Sequence, residues 1–79
     1  MQICICGGGS LAHVCAGVLA SDTNNRVSIL TRRPSEWHDF IEVFDPKGHT
    51  FVGKLAHVSS APSEVISGAE VVLLCLPGY

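Results

Sequence analysis

A glycine-rich turn near the N-terminus constrains the fold of this 79-residue chain more than any other feature. Residues 7–12 read GGGSLA, which fits the pattern G-x-G-x-x-A, and they lie between two apolar segments. In that pattern the first glycine permits a tight turn out of a strand, and the second lets a pyrophosphate approach the backbone. The alanine lets the following helix pack closely on the strand, and the helix N-terminus favours a phosphate. The stretch therefore predicts the phosphate-binding turn of a Rossmann-type fold, and a glycine turn that binds nothing is the alternative.

The first half of the chain alternates between strand-like and helix-like segments, as this motif requires. We predict a strand at Met1–Cys6, a helix at Ser10–Ala20 and, after a polar turn, a second strand at Arg26–Thr31. Pro34 suits the first turn of a helix, and apolar spacing extends that predicted helix over Ser35–Ile41.

The second half begins with a different pattern. The sequence DPKG at residues 45–48 is a strong turn signal, because proline fixes φ and glycine permits positive φ. It predicts a β-hairpin that pairs Ile41–Phe44 with His49–Lys54. The remaining predicted elements are a strand at Leu55–Ser59, a short helix over residues 61–68 and a strand at Ala69–Leu76 that is buried on both faces.

These elements predict an α/β fold, part of a doubly wound parallel sheet of the Rossmann type with an inserted β-hairpin. Strands that alternate with helices form parallel sheets with right-handed crossovers. The expected order of the parallel strands is 3-2-1-4, with the switch point between the first and the fourth. A ligand belongs at the carboxyl ends of those two strands, so the turn after Cys6 is expected to face residues 76–78 across one crevice.

Composition excludes several classes of protein. Apolar residues make up 47% of the chain and charged residues 15%, which suits a parallel sheet covered on both faces. The net charge of −2, without a basic stripe, argues against a nucleic-acid partner. No segment has the length of a transmembrane span, and the N-terminus lacks the basic region of a secretory signal. We therefore expect a cytoplasmic protein with no membrane partner.

The four cysteines are Cys4, Cys6, Cys15 and Cys75, and none forms a C-x-x-C pair. Three fall in predicted strands and one on the first helix, which favours free core thiols in a reducing compartment. A metal site would need closer ligand spacing, so none is predicted. A disulfide from Cys4 or Cys6 to Cys75 is conceivable, because their strands are expected to be neighbours.

The end of the second strand bears on the choice of cofactor. An NAD site usually carries Asp or Glu about 20 residues beyond the glycines, on the ribose 2′-hydroxyl. The chain instead has Thr31, Arg32 and Arg33 there, and guanidinium groups suit a 2′-phosphate. The sequence thus predicts a preference for NADP(H) and argues against FAD. One alternative is a preference for NAD(H). Another is that the two arginines only solvate the end of the strand. We interpret His13 as a packed or capping histidine, and Trp37 as a packing residue near the adenosine end.

Three segments together resemble the opine dehydrogenases, the octopine/nopaline dehydrogenase family. They are GGGSLAH after ICIC, LTRRPSEW after the second strand, and GAEVVLLCLPGY at the end, and the resemblance covers essentially all 79 residues. It implies a two-domain NAD(P)-dependent oxidoreductase. Such an enzyme condenses the amino group of an amino acid with a 2-oxo acid such as pyruvate, and reduces the imine with hydride from NAD(P)H.

The resemblance also implies the roles of particular residues. The family's catalytic His and Asp belong to a second domain, so no residue here receives a catalytic or metal-binding role. This chain is expected to be the N-terminal part of the NAD(P)-binding domain of a longer protein, whose other part holds the small-molecule substrate. The implied cofactor-binding residues are Gly7, Gly8, Gly9, Ser10 and Leu11 at the pyrophosphate, Thr31, Arg32 and Arg33 at the adenosine ribose, and Leu76, Pro77 and Gly78 towards the nicotinamide.

Three other interpretations stay open. The same cofactor domain occurs in reductases that resemble ketopantoate reductase or glycerol-3-phosphate dehydrogenase, which differ in the substrate domain. A second interpretation is a regulatory module that binds NAD(P)H without turnover. The third is a Rossmann-like domain without a ligand, which Thr31, Arg32 and Arg33 at the expected distance disfavour, and fold alone does not establish function.

Overall fold

The computed structural model describes residues 1–75, and these form a four-stranded parallel sheet and a separate two-stranded hairpin. Two helices and one 3-10 turn connect the strands. In chain order the elements are β1 (Gln2–Cys6), α1 (Ser10–Ala20), β2 (Arg26–Leu30), a 3-10 turn (Pro34–Glu36), β3 (Phe40–Phe44), β4 (Thr50–Lys54), β5 (His57–Ser59), α2 (Pro62–Val65) and β6 (Val71–Leu74).

The parallel sheet has the order β5-β2-β1-β6, which confirms the predicted order 3-2-1-4. Alternating β-branched residues bring the central strands together, with Ile3 opposite Val27 and Ile5 opposite Ile29. Ile5, Val27 and Ile29 have no solvent exposure, so the centre of the sheet is the core of the domain. The switch point lies between β1 and β6, as predicted.

Small residues form the buried face of α1. Ala12, Ala16 and Gly17 are buried, and Ala20 is nearly so, which lets both the sheet and the hairpin approach the helix closely. Three of the larger apolar residues, Leu11, Val14 and Val18, are exposed instead. The bounds predicted for this helix are confirmed, but its fully buried residues are alanines and a glycine, with Cys15 and Leu19 half-buried against the core.

The predicted helix over Ser35–Ile41 is wrong. Only the 3-10 turn Pro34–Glu36 forms, and the chain then enters β3 at Phe40. The spacing of Trp37, Phe40 and Ile41 suits a helix, but the last two residues pair across the hairpin with β4 instead. Tertiary pairing here overrides a local periodic pattern.

Strand β6 also differs from the prediction. It pairs with β1, so its existence and its place in the sheet are confirmed. Within the described part of the chain only one of its faces is covered, because Val72 is 42% and Leu74 71% exposed. The predicted burial of both faces is therefore not observed, and residue 76 of the predicted strand lies outside the described residues.

The hairpin turn is held by a carboxylate. Asp45 accepts hydrogen bonds from the backbone N–H groups of Lys47 and His49, at 2.7 and 3.1 Å, and its second oxygen lies 2.8 Å from Nδ1 of His49. These contacts, first of all the one with the His49 ring, hold the pKa of Asp45 below its ordinary value. The predicted turn and hairpin are confirmed.

We expect Asp45→Asn to lower the melting temperature slightly at pH 7, and the loss to disappear in acid. Because the folded-state pKa is depressed, the carboxylate stabilises the fold fully above its unfolded pKa of about 3.9, and this contribution is lost as the pH falls through the folded value. Thermal unfolding at a series of pH values from 7 downwards measures the effect, and the difference from the wild type is expected to shrink progressively below about pH 3.9. Asp39→Asn is the matched control, and an equal loss for both variants, or one independent of pH, would contradict the assignment.

No helix within residues 1–75 is long and apolar enough to cross a membrane.

Candidate functional site

An open groove of about 1100 Å³ lies at the carboxyl ends of the parallel strands. Three backbone hydrogen bonds continue the strand pairing into the loops that form it. Gly7 donates to the Leu30 carbonyl at 3.0 Å, Thr31 to the Ser59 carbonyl at 3.0 Å, and Cys75 to the Cys6 carbonyl at 2.8 Å. The floor of the groove is therefore an extension of the sheet. The groove is lined by Cys6, Gly7, Gly8, Gly9, Leu30, Thr31, Arg32, Arg33, Glu36, Ser60, Pro62 and Cys75.

The glycine turn forms the wall of the groove nearest α1. Gly7 adopts a φ of 150°, which a residue with a side chain rarely adopts, and a Cβ there would overlap the Cys75 carbonyl oxygen. Gly9 is the N-cap of α1, and a Cβ built on it meets nothing within 4 Å. The first glycine is thus required by the turn itself. The space beside Gly9 stays open to a ligand at the helix N-terminus, as the motif predicts.

The loop after β2 forms the opposite wall. Thr31 is buried, and its hydroxyl accepts a hydrogen bond from the Arg33 N–H at 3.4 Å. Arg32 and Arg33 are exposed, and within the described residues Arg32 forms no ion pair. Nη1 of Arg33 lies 3.3 Å from Oε1 of Glu36, so the groove contains a carboxylate beside its two guanidinium groups. The sequence at residues 31–33 alone predicts no carboxylate here.

An aromatic stack joins the two walls. The rings of His13, on α1, and Trp37, which follows the 3-10 turn, are 3.7 Å apart at 12°. Nδ1 of His13 also lies 2.9 Å from the carbonyl oxygen of Gly9. Trp37 is buried, which fits its predicted packing role, and His13 contacts both the glycine turn and the loop after β2. The stack thus connects the N-terminal part of α1 with the loop after β2.

Two other predicted site residues lie beside the groove. Ser10 and Leu11 are exposed on the first turn of α1, and neither lines the groove. Ser10 makes no side-chain cap in this helix. Leu76, Pro77 and Gly78 lie outside the described residues, so the nicotinamide side predicted for them stays a prediction.

Two of the four cysteines, Cys4 and Cys75, are buried. All four are free thiols, and no group of three metal-ligating side chains is found within residues 1–75. Burial raises the pKa of Cys4 to about 11, and burial together with the neighbouring Cys15 raises the pKa of Cys75. These two thiols therefore stay protonated at neutral pH, and a thiolate is what a nucleophile or a metal ligand needs.

Sequence reasoning missed Glu36, Ser60 and Pro62, which also line the groove. For Glu36 a signal was present, because a carboxylate three residues after Arg33 in a Pro-initiated turn returns to the strand end. Because Glu36 falls within the wrongly predicted helix Ser35–Ile41, the sequence did not indicate that its side chain returns to the strand end. Ser60 follows β5 and Pro62 begins α2, and only the sheet order brings this part of the chain beside the loop after β2.

Strand order, glycine turn and groove position define a Rossmann-type α/β domain, the class of domain that binds dinucleotides at this edge of the sheet. Comparison with known proteins identifies the relatives. The chain is 30% identical over its whole length to octopine dehydrogenase of Pecten maximus, and 28% identical to an opine dehydrogenase of Haliotis discus hannai. It spans 23% of the length of each. No protein-family model matches the chain.

Solved structures agree with these relatives. An octopine dehydrogenase in complex with NADH and agmatine superposes with a TM-score of 0.86 at 30% identity, over 96% of this chain and 22% of that one. An octopine dehydrogenase with NADH and pyruvate gives a TM-score of 0.83 over the same shares. The predicted resemblance to the opine dehydrogenases is confirmed: the chain matches their N-terminal domain.

Proposed function

We propose that this chain is the dinucleotide-binding part of an opine-dehydrogenase-like oxidoreductase. The carrying observation is the groove itself, in which a glycine turn with open space beside Gly9 faces the loop after β2. Gly7, Gly8 and Gly9 hold the pyrophosphate, and Thr31, Arg32 and Arg33 lie at the adenosine ribose. The nicotinamide supplies hydride when bound. The resemblance to octopine dehydrogenases that bind NADH supports this assignment.

The proposed reaction is the reductive condensation of an amino acid with a 2-oxo acid such as pyruvate. Solved relatives hold pyruvate or L-arginine together with NADH. No residue of this chain receives a catalytic role. We propose that the proton donor and most of the substrate contacts belong to a part of the protein beyond residues 1–79.

The choice between the two nicotinamide cofactors depends on the ribose end of the groove. The predicted preference for NADP(H) assumed that Arg32 and Arg33 act without a nearby carboxylate. Glu36 removes that assumption, because it pairs with Arg33 inside the same groove. We therefore propose NAD(H) as the preferred cofactor.

The test follows NADH oxidation by the full-length protein, with pyruvate and L-arginine supplied together and separately. We expect consumption only when both are present, because the imine needs both a carbonyl and an amine. Consumption with the 2-oxo acid alone would instead indicate a reductase of the ketopantoate type. Binding without turnover on any amino acid and 2-oxo acid pair would indicate a sensing module, and absence of binding would refute the proposal.

A further inference from the structure

We infer that Glu36 reads the 2′ position of the adenosine ribose and discriminates against a 2′-phosphate. This inference rests on the proposed function, since it assumes that a nicotinamide dinucleotide occupies the groove. It assigns a specificity-determining role to a residue outside the motif that the sequence indicates.

The position of Glu36 supports this role. Rossmann domains that use NAD place an acidic residue at the end of their second strand, where it accepts a hydrogen bond from the ribose 2′-hydroxyl. Here the strand ends in Leu30 and is followed by Thr31 and two arginines. The 3-10 turn then brings Glu36 back into the groove that Thr31 and Arg33 line. Glu36 thereby supplies a carboxylate at this end of the groove, where residues 31–33 supply none.

The backbone of Glu36 is fixed on both sides. Its N–H donates to the Arg33 carbonyl at 3.1 Å, and the N–H of Trp37 donates to the Pro34 carbonyl at 3.1 Å. Trp37 is buried against His13 of α1, so the residue directly after Glu36 is anchored to the helix that carries the glycine turn. The carboxylate is exposed, but it projects from an ordered turn.

The charges at this end of the groove favour a hydroxyl over a phosphate. Arg33 shares its guanidinium with Glu36 at 3.3 Å, so part of its positive charge is already balanced. A 2′-phosphate would bring two negative charges to the same place and would be repelled by the carboxylate. A 2′-hydroxyl donates a hydrogen bond to it, and a bond to an ionised acceptor is stronger than a neutral one.

The test is Glu36→Gln in the full-length protein, titrated with NADH and with NADPH. Isothermal titration calorimetry gives the Kd for each dinucleotide without relying on a fluorophore. We expect the wild type to bind NADH at least about tenfold tighter than NADPH. In the variant, the Kd for NADPH is expected to fall about tenfold and that for NADH to rise a few-fold.

Two further variants make the result specific. Glu42→Gln removes the same charge from the exposed face of the hairpin, away from the groove, and is expected to leave both Kd values unchanged. Arg33→Ala in the Glu36→Gln background is expected to cancel the gain in NADPH binding, because the released guanidinium is what binds the phosphate. Tighter NADPH binding by the wild type, or an unchanged cofactor ratio in Glu36→Gln, would overturn the inference. If the wild type binds neither dinucleotide, it is the proposed function that fails.

Discussion

Replacing Gly7 by alanine is expected to lower the free energy of unfolding by about 3 kcal/mol and to abolish dinucleotide binding. The residue has a φ of 150°, a region of backbone space that is essentially confined to glycine. A Cβ would also overlap the Cys75 carbonyl oxygen and would lie 3.4 Å from the Cβ of Ala12. The oxygen belongs to the backbone that follows β6, so it cannot move aside without disturbing the bond from Cys75 to Cys6.

The matched control is Gly9→Ala, two residues further along the same turn. Gly9 has a φ of −87°, and its added Cβ meets no protein atom within 4 Å. Its stability cost is expected to be well below that of Gly7→Ala and to come only from exchanging an N-cap glycine for alanine. Dinucleotide affinity should still fall, because the methyl group occupies the space through which the pyrophosphate approaches.

Chemical denaturation and NADH titration of the full-length variants separate these two effects. Gly7→Ala should lose both stability and binding, whereas Gly9→Ala should lose mainly binding. Equal destabilisation by the two substitutions would show that the backbone at Gly7 tolerates a side chain as well as the backbone at Gly9 does. Unimpaired binding by Gly9→Ala would show that the pyrophosphate does not approach there.

The sheet could be predicted from the sequence because its signals are local and agree with one another. The β-branched segments around Ile5 and Ile29 indicate buried strands, and the glycine turn requires a helix between them. Right-handed crossovers then leave few possible orders. The DPKG turn carries its own backbone preferences, so the hairpin could be predicted as well.

The residues that could not be predicted depend on contacts between distant segments. The segment from Trp37 to Ile41 has helical spacing, and only pairing with β4 makes its second part a strand. In α1, both an alanine stripe and a stripe of larger apolar residues have helical spacing, so periodicity does not show which one is buried. The packing of the hairpin determines which stripe is buried, because the side chain of Val43 approaches Gly17 more closely than a larger residue there would allow. Glu36 reaches the groove only because the chain forms a tight 3-10 turn at residues 34–36 and not a helix.

The close approach of hairpin and helix leads to the second large expected effect, at Gly53. A Cβ on this buried strand residue would overlap the carbonyl carbon and oxygen of Ala20 and would lie 2.6 Å from the Cβ of Ala20. Since Ala20 ends α1 against the core, the hairpin itself would have to move away. Overpacking of this kind typically costs about 1–3 kcal/mol, and we expect Gly53→Ala to reach the upper end in thermal or chemical unfolding.

Gly17→Ala gives an informative comparison on the helix side of the same contact. Its Cβ would overlap Cγ2 of Val43, which is a side-chain atom, and alanine gains about 1 kcal/mol in helix propensity over glycine. We expect Val43→Ala to remove the overlap with Cγ2 but to leave a tight contact of 3.0 Å with the Cβ of residue 43, so that Gly17→Ala costs much less in that background than alone. The same background should leave the cost of Gly53→Ala unchanged, because that clash is with backbone atoms.

Binding measurements distinguish this packing role from a role in the site. Neither Gly17 nor Gly53 lines the groove, so the folded fraction of each variant should bind NADH with the wild-type Kd. A loss of affinity in Gly53→Ala at temperatures where it stays folded would show that the hairpin also controls the position of α1 and its glycine turn. In that event the helix that ends at Ala20 would transmit a displacement over its whole length to Gly9. Unchanged affinity would show that the two ends of α1 are energetically independent, with one end packing the hairpin and the other receiving the cofactor.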